Sequence, residues 1–524
     1  MTRASAGVVF AVALTAGLAL RGTRLADRPM HHDEANQAIK FGDLLERGDY
    51  RYDYRDHHGP SLYYLTLPSA WLQGHRTLAS VDETTLRRVP VAFGTATILL
   101  LALLSRAIGR AGAAAAAMLM AVSPAMVFYS RMFIQEALFA CFTLAFVIAV
   151  GRVACGGSRR WWIAAGAAAG LCIATKETSV IVLPAAIAAG AIAWWSLGRE
   201  RRPSAFVGSS WRGAAVAGVA TAIVVAAAFY SSFFTTPSGI LEPFRGAATY
   251  LARGVEPADH VHPWHYYLRL LAYHSSGGVT WTEGLVLALA IFGVAHGWRG
   301  AGPERSDAGP ERPGLHAFWT RYLAGDVAIA GAIFSILPYK TPWNVLPFYV
   351  VGLALAGAGA AALVAYARPR GVRAVVAGAL ALATCQLGWQ AWRAAITYAA
   401  DPRNPYAYAQ TVPDAVRMAA RIRDLASLDP HGTAMQVSVI ASPYEQWPLP
   451  WYLRSLPNVG YWTSTGDAVA LRAPVIVASL EDTPALDAAL GDRYVSEFYG
   501  LRPDVLQALY VERGLWDRFL AQVK

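Results

Sequence analysis

Eleven apolar windows dominate this chain, near residues 5–22, 89–105, 112–129, 136–152, 161–175, 178–196, 213–232, 281–298, 316–337, 344–366 and 373–392. Each is long enough to cross a bilayer. In hydrocarbon every backbone N–H and C=O must be bonded inside the protein, so each window has to be a helix. The expected fold class is therefore a polytopic α-helical membrane protein with about 11 transmembrane helices. Composition agrees, with 55% hydrophobic and only 15% charged residues, where a soluble protein carries about a quarter charged. The first window, from Gly7 to Leu20, resembles a signal-peptide core. No small-residue cleavage site follows it, so it reads as a retained first helix.

Charge sets the sidedness. Arg106 and Arg110, then Arg152, Arg159 and Arg160, then Arg199, Arg201, Arg202 and Arg212, then Arg368, Arg370 and Arg373 all fall in loops on one side, and Arg3 joins them. By the positive-inside rule that side is the cytoplasm. The formal charge of +10 is then topological, and nucleic acid is not an expected partner. The expected location is a cell inner or plasma membrane with a cytoplasmic N-terminus. Outward lie loops 23–88 and 233–280 and everything beyond about residue 397. These regions hold ten of the twelve histidines, a distribution that hints at polar chemistry on the outer face. A hydrophobic scaffold with polar outer loops would give the same asymmetry.

Two domains are expected, a transmembrane region over 1–397 and a soluble extracytoplasmic α/β domain over 398–524. In the second, Thr411-Val-Pro-Asp414 reads as a capping box opening a helix through about Leu428. Gln436–Ala441 and Pro474–Ala478 read as short buried strands, and 447–456, 484–490 and 503–521 as helices. No Gly-rich phosphate loop or catalytic triad stands out. The segment 299–314 reads as a cytoplasmic loop. Three of the four cysteines, Cys141, Cys172 and Cys385, lie in apolar windows and Cys155 in an Arg-rich loop, so no disulfide framework or thiolate metal site emerges.

The chemistry-bearing residues sit at the outward ends of these windows. Asp33 and Glu34, in Met30-His-His-Asp-Glu-Ala-Asn36, follow the first window. A carboxylate at a lipid boundary must be hydrated, paired or used. Asp-Glu alone is more often a solvated loop pair. Further along come His57-His58-Gly59-Pro60-Ser61-Leu62-Tyr63-Tyr64, where Gly59-Pro60 breaks the chain before a helix beginning at Ser61. The tyrosines there suit an interfacial belt as well as a substrate contact. Ser130-Arg131 with Glu136, Lys176-Glu177 and Tyr339-Lys340 stand at other outward ends. Pairing of Arg131 with Glu136, or interfacial anchoring, is the plain reading of each. Together, these cations and acids suit an anionic phosphate held beside a carboxylate base. In His260-Val-His-Pro-Trp-His-Tyr-Tyr267, Trp264 and Tyr266 could stack on sugar rings or simply form a surface amphipathic segment.

These pieces carry a resemblance. The chain resembles membrane glycosyltransferases of the GT-C fold, close to protein O-mannosyltransferases and lipid A aminoarabinose transferases, and within them a prokaryotic flippase-activity-associated subfamily. The matching stretches are Asp33-Glu34, Gly59 to Tyr64, Ser130-Arg131 with Glu136, Gly170-Leu-Cys-Ile-Ala-Thr-Lys176 and Tyr339-Lys-Thr-Pro-Trp343. Trp447-Pro-Leu-Pro-Trp-Tyr-Leu-Arg454 matches at the subfamily level. Where relatives frequently carry Lys or Glu before the Pro-rich stretch, this chain has His57-His58, which leaves phosphate binding, metal binding and packing open there.

The resemblance implies a hexosyltransferase-type enzyme. It would move a sugar, with inversion, from a polyprenyl-phosphate-linked donor to a lipid, glycan or protein acceptor on the outer face. Asp33 is then the base and Glu34 its helper in acceptor or metal positioning. Lys176, Lys340 and Arg131 are the donor-phosphate candidates, followed by His57 and His58. Glu136, Tyr63, Trp264 and Tyr266 are the sugar or acceptor contacts. No ion follows from the resemblance, and a divalent cation is left open. One rival is a non-catalytic partner of a lipid-linked-sugar flippase. A secondary transporter would need acids at the bilayer midplane, where only Asp326 falls.

Overall fold

The computed structural model describes residues 1–53, 58–198, 210–255, 260–298, 314–467 and 469–523. His57 lies outside the described residues, as does nearly all of the loop read at 299–314. Each apolar window is helical: Arg3–Gly22, Glu83–Leu100, Gly109–Val122, Glu136–Ala154, Arg159–Ile173, Ser179–Trp195, Ser210–Tyr230, Gly284–Trp298, Leu315–Ile336, Leu346–Tyr366 and Arg370–Trp392. Among the described residues six helices are long and apolar enough to cross a membrane, and three further apolar helices are shorter. This is a multi-pass membrane protein. On Ser210–Tyr230 the exposed residues include Val216, Val219, Ile223 and Val224, a face that suits lipid and would be a liability in water.

The chain divides into two compact units. The first comprises Met1–Leu25, Asp49–Ser69 and Arg87–Thr397, and the second Ala26–Gly48, Ala70–Leu86 and Tyr398–Lys524. Residues 26–48 and 70–86 of the long first loop thus group with the C-terminal region.

In the first unit small residues let helices approach closely. A Cβ on Gly166 would stand 1.9 Å from the Gly218 carbonyl oxygen, so Arg159–Ile173 and Ser210–Tyr230 touch backbone to backbone. The window read at 112–129 is broken. Ser123 before Pro124 is extended, because the proline ring disfavours helical geometry in the preceding residue. Its hydroxyl then caps Pro124–Tyr129 by accepting from Met126 N. Arg21, fully buried, donates to the Met120 and Ala121 carbonyls at 2.9 and 2.8 Å and so satisfies the end of Gly109–Val122.

A small hairpin, β1 (His274–Ser276) with β2 (Val279–Trp281), belongs to this unit. The second unit holds a five-stranded sheet: β3 (Val437–Ile440), β4 (Val459–Trp462), β5 (Val475–Ser479), β6 (Tyr494–Arg502) and β7 (Val505–Glu512), in the order β4-β3-β5-β7-β6. β3 runs parallel to β4 and β5, and β7 is antiparallel to β5 and β6. Ile440, Ile476, Ala478, Leu486 and Tyr510 form part of its core. Helix His32–Arg47 buries Ala35, Ala38, Phe41 and Leu44 along one stripe.

The structure corrects three local expectations here. The stretch 503–521 is β7 followed by helix Arg513–Val523, because Asp504 adopts a positive φ of 64° and turns β6 back on itself. The helix expected over 447–456 shrinks to Leu449–Tyr452 between prolines that remove donors. The capping box at Thr411 does not form. Pro413 starts the helix with Val412 as N-cap, and the Asp414 carboxylate instead accepts from Gly500 N at 2.8 Å.

Candidate functional site

In the first unit the turn between Arg159–Ile173 and Ser179–Trp195 brings together three of the expected residues, Lys176, Glu136 and His58. Lys176 donates from Nζ to Glu136 Oε1 at 2.5 Å and to Asn344 Oδ1 at 2.8 Å, and both charged side chains are buried. Glu136 opens its helix, where a carboxylate is favoured by the helix dipole. Its other oxygen, Oε2, is buried without a partner, as are the hydroxyls of neighbouring Thr178 and Thr341. An unpaired buried carboxylate oxygen suits a hydroxyl donor.

Next to Lys176, Glu177 holds His58. It accepts from the His58 backbone N–H and lies 3.0 Å from His58 Nδ1. His58 takes a φ of 71°, strained for a side chain with a Cβ, and the two contacts to one carboxylate hold it there. Gly59 follows with its N–H on the Thr175 carbonyl, and Ser61 N–H bonds the Ala174 carbonyl. A Cβ at Gly59 would stand 2.2 Å from the Ala174 oxygen, so this contact requires glycine. The Tyr52 hydroxyl comes within 3.5 Å of Glu177, and burial followed by the Glu177 charge pushes its pKa upward.

The remaining candidates are placed differently. Arg131 spreads its guanidinium over the carbonyls of Leu20, Arg21, Thr23 and Arg24, ending helix Arg3–Gly22. Its expected partner Glu136 is bound to Lys176 instead, because the intervening Met132–Gln135 turn separates helix-end roles that looked adjacent in sequence. Lys340 is buried and donates to the His262 carbonyl at 2.9 Å and to that of Leu337. Burial lowers its pKa. The Lys340 backbone N–H also bonds the His260 carbonyl, tying the His260–Tyr267 stretch to this turn. Tyr266 stacks on His262 with ring centroids 4.3 Å apart, whereas Trp264 is largely exposed. Tyr63 is fully buried against Tyr50.

Glu283 did not stand out in the sequence. It is fully buried and accepts from Ser123 Oγ, Ala125 N and Tyr349 OH at 2.6, 2.9 and 2.5 Å. The one signal available was a carboxylate within the first residues of an apolar window.

Asp33 and Glu34 belong to the second unit, on the first turn of His32–Arg47. His31 is the N-cap: its Nδ1 accepts from Asp33 N, while Glu34 accepts from His31 N. His31 Nε2 lies 3.1 Å from the Tyr408 carbonyl, so the ring carries its proton on Nε2 and accepts at Nδ1. Glu34, fully buried, also pairs with Arg28 at 3.2 Å. It serves the helix start and a buried ion pair. Asp33 keeps about a third of its side chain exposed (35%), 3.8 Å from His31 Nδ1. Beside it, burial lowers the His32 pKa to about 4, with the Asp33 charge opposing. Among the described residues no group of three or more His, Cys, Asp or Glu could hold a metal ion.

The second unit is knit from distant pieces. Met30 N donates to the Tyr452 hydroxyl, Gln410 to the Pro29 carbonyl, Trp451 Nε1 to Glu83, and Arg454 to the Val81 carbonyl while lying over the Trp451 ring.

Comparison with known proteins places this architecture. A family model described as dolichyl-phosphate-mannose-protein mannosyltransferase matches residues 67–226. No curated protein sequence matches the chain. Among solved structures, ArnT from Cupriavidus metallidurans bound to undecaprenyl phosphate is similar over 98% of this chain and 99% of its own, with 16% identity and a TM-score of 0.64. The oligosaccharyltransferase of Archaeoglobus fulgidus, tethered with an acceptor peptide, is similar over 95% of this chain and 74% of its own, with 13% identity and a TM-score of 0.59. The chain therefore has the GT-C fold of these transferases, a helical membrane region with a C-terminal sheet-containing domain.

Proposed function

We propose that the protein is a membrane glycosyltransferase that moves a sugar, with inversion, from a polyprenyl-phosphate-linked donor to an acceptor on the outer face of the membrane. The observation that carries this reading is end-to-end likeness in fold to a transferase solved with undecaprenyl phosphate. In the reaction Asp33 takes the proton of an acceptor hydroxyl, whose oxygen bonds the anomeric carbon as the polyprenyl phosphate leaves. Asp33 suits a base because it is partly exposed and Glu34 beside it is already committed. Lys176 and Lys340 are the cations for the leaving phosphate, and Glu136, through its unpartnered Oε2, accepts from a sugar hydroxyl. His58 acts through Glu177, and Arg131 positions the end of the first helix. An apolar groove of about 560 Å³ in the first unit, lined among others by Phe146, Trp162, Ile187, Trp194 and Val219, fits a lipid chain. The location is a cell inner or plasma membrane, with the N-terminus cytoplasmic and residues 398–524 outside, as arginine placement supports.

Reconstitution with a labelled polyprenyl-phosphate sugar tests the proposal, read beside the lipid-linked sugars and envelope glycans of a deletion strain. Unchanged glycans, with labelled sugar never leaving its lipid, would overturn it. A second reading, a non-catalytic partner of a lipid-linked-sugar flippase, is favoured by one observation. Lys176, Lys340 and Arg131 all bond protein groups.

A further inference from the structure

The second unit contains an ionised side chain whose hydrogen bonding the fold leaves incomplete. Arg502, at the end of β6, is 4% exposed. Nη2 donates to the Tyr444 carbonyl at 2.8 Å, while Nε and Nη1 are buried with no partner. A buried donor left unpaired costs about 1–3 kcal/mol, more when it is charged. His32 presents the complementary gap. Its Nδ1 is buried without a partner. Burial lowers the His32 pKa to about 4, so near neutrality the ring is uncharged and Nδ1 can accept a hydrogen bond. Two aromatic rings complete the cluster. Tyr444 lies over the Arg502 guanidinium at 3.9 Å, and the His32 ring is 5.2 Å from Tyr444 and 5.7 Å from Trp447. The Tyr444 ring that lies over the guanidinium is itself half exposed. The Asp33 charge acts on both Arg502 and His32.

The topology explains why these groups meet. In the order β4-β3-β5 the chain leaves β3 toward β4 on one side and then crosses to β5 on the other. Open α/β sheets bind ligands outside the carboxyl ends of their strands at such a reversal. The loop after β3 carries Tyr444, Glu445 and Trp447. It is pinned over that end by Ser479 of β5, which donates to Glu445, and by Gln507 of β7, which donates to the Glu445 carbonyl at 2.7 Å.

We propose that this carboxyl edge binds an acidic sugar of the acceptor, a residue carrying a carboxylate or a phosphate. Arg502 takes the anionic group, His32 Nδ1 accepts from a ring hydroxyl, and Tyr444 and Trp447 face the sugar ring. The assignment of this ligand as the acceptor rests on the transferase reading; the site itself does not.

Binding of labelled glucuronate, glucose 6-phosphate and glucose to the purified full-length protein, with no donor lipid present, tests it. Both acids should bind at least tenfold more tightly than glucose, and whichever is tighter identifies the anion. Arg502→Gln should weaken acid binding at least tenfold, and His32→Phe several-fold, with thermal unfolding checked for each. His32→Phe breaks no bond made by Arg502, so it stands if Arg502→Gln fails to fold. Equal binding of glucose and the acids, no binding of either acid, or wild-type affinity in His32→Phe would overturn the proposal. Asp33-dependent transfer with unchanged acid binding in Arg502→Gln would sink this site and leave the transferase reading. Arg502-dependent binding without any transfer would do the reverse.

Discussion

The two units treat their buried carboxylates in opposite ways. In the first, Glu136 and Glu177 are bound to side chains, Lys176 and His58, which arrive from other parts of the chain. In the second, Glu34 is tied to its own helix start and to Arg28, six residues away, while Asp33 beside it stays partly exposed. Local capping frees one acid of an adjacent pair by committing the other. Long-range pairing leaves a buried charge that depends on its partner. A proton acceptor needs a modest, accessible environment, whereas a charge inside a low-dielectric helix bundle needs compensation.

The largest effect should separate these roles. Asp33→Asn keeps shape and hydrogen bonding but cannot take a proton, so transfer should fall by about 10²–10⁴-fold with little change in unfolding temperature. Near-normal transfer would end the assignment of Asp33 as base and shift weight to the flippase-partner reading. Glu136→Ala strands the Lys176 ammonium and should cost about 3–5 kcal/mol of stability. The double change Glu136→Ala with Lys176→Met should recover much of that loss in thermal unfolding of detergent-solubilised protein. If the two losses simply add, the pair is not coupled.

Smaller losses come from the contacts that shape each site. Gly59→Ala forces a methyl against the Ala174 carbonyl and should cost about 1–3 kcal/mol, seen as a lowered midpoint of thermal unfolding. An unchanged midpoint would mean that the His58–Ser61 stretch is not held against the Ala174–Glu177 turn. A further effect is one of pH. His32 ionises near 6.5 when unfolded and near 4 in the fold, so the unfolded chain binds more protons between those values. Stability from this residue is complete above about pH 6.5 and declines toward pH 4. Comparing wild type with His32→Phe across that range isolates the effect from the carboxylates. Parallel pH profiles would show that His32 does not titrate as its burial implies.

Residue order alone determined the eleven helical windows and the strands near Val437 and Val475, because length and hydropathy decide what backbone can survive in lipid or in a buried sheet. It also marked Lys176, Glu136, Asp33 and His58 as residues whose charge or chemistry is costly at their positions. It could not show that 26–48 and 70–86 group with the C-terminal region, since the bonds responsible join residues hundreds of positions apart, such as Met30 with Tyr452. Nor could it show β6, where Tyr494-Val-Ser-Glu-Phe-Tyr-Gly-Leu-Arg502 does not alternate apolar with polar residues, or the reversal at Asp504. Tertiary structure alone decided that Lys176 meets Glu136, that Arg131 ends a helix, that Glu283 is buried and that Arg502 lacks two partners. Each depends on which groups share a low-dielectric space, and that is set by packing between elements rather than by spacing along the chain.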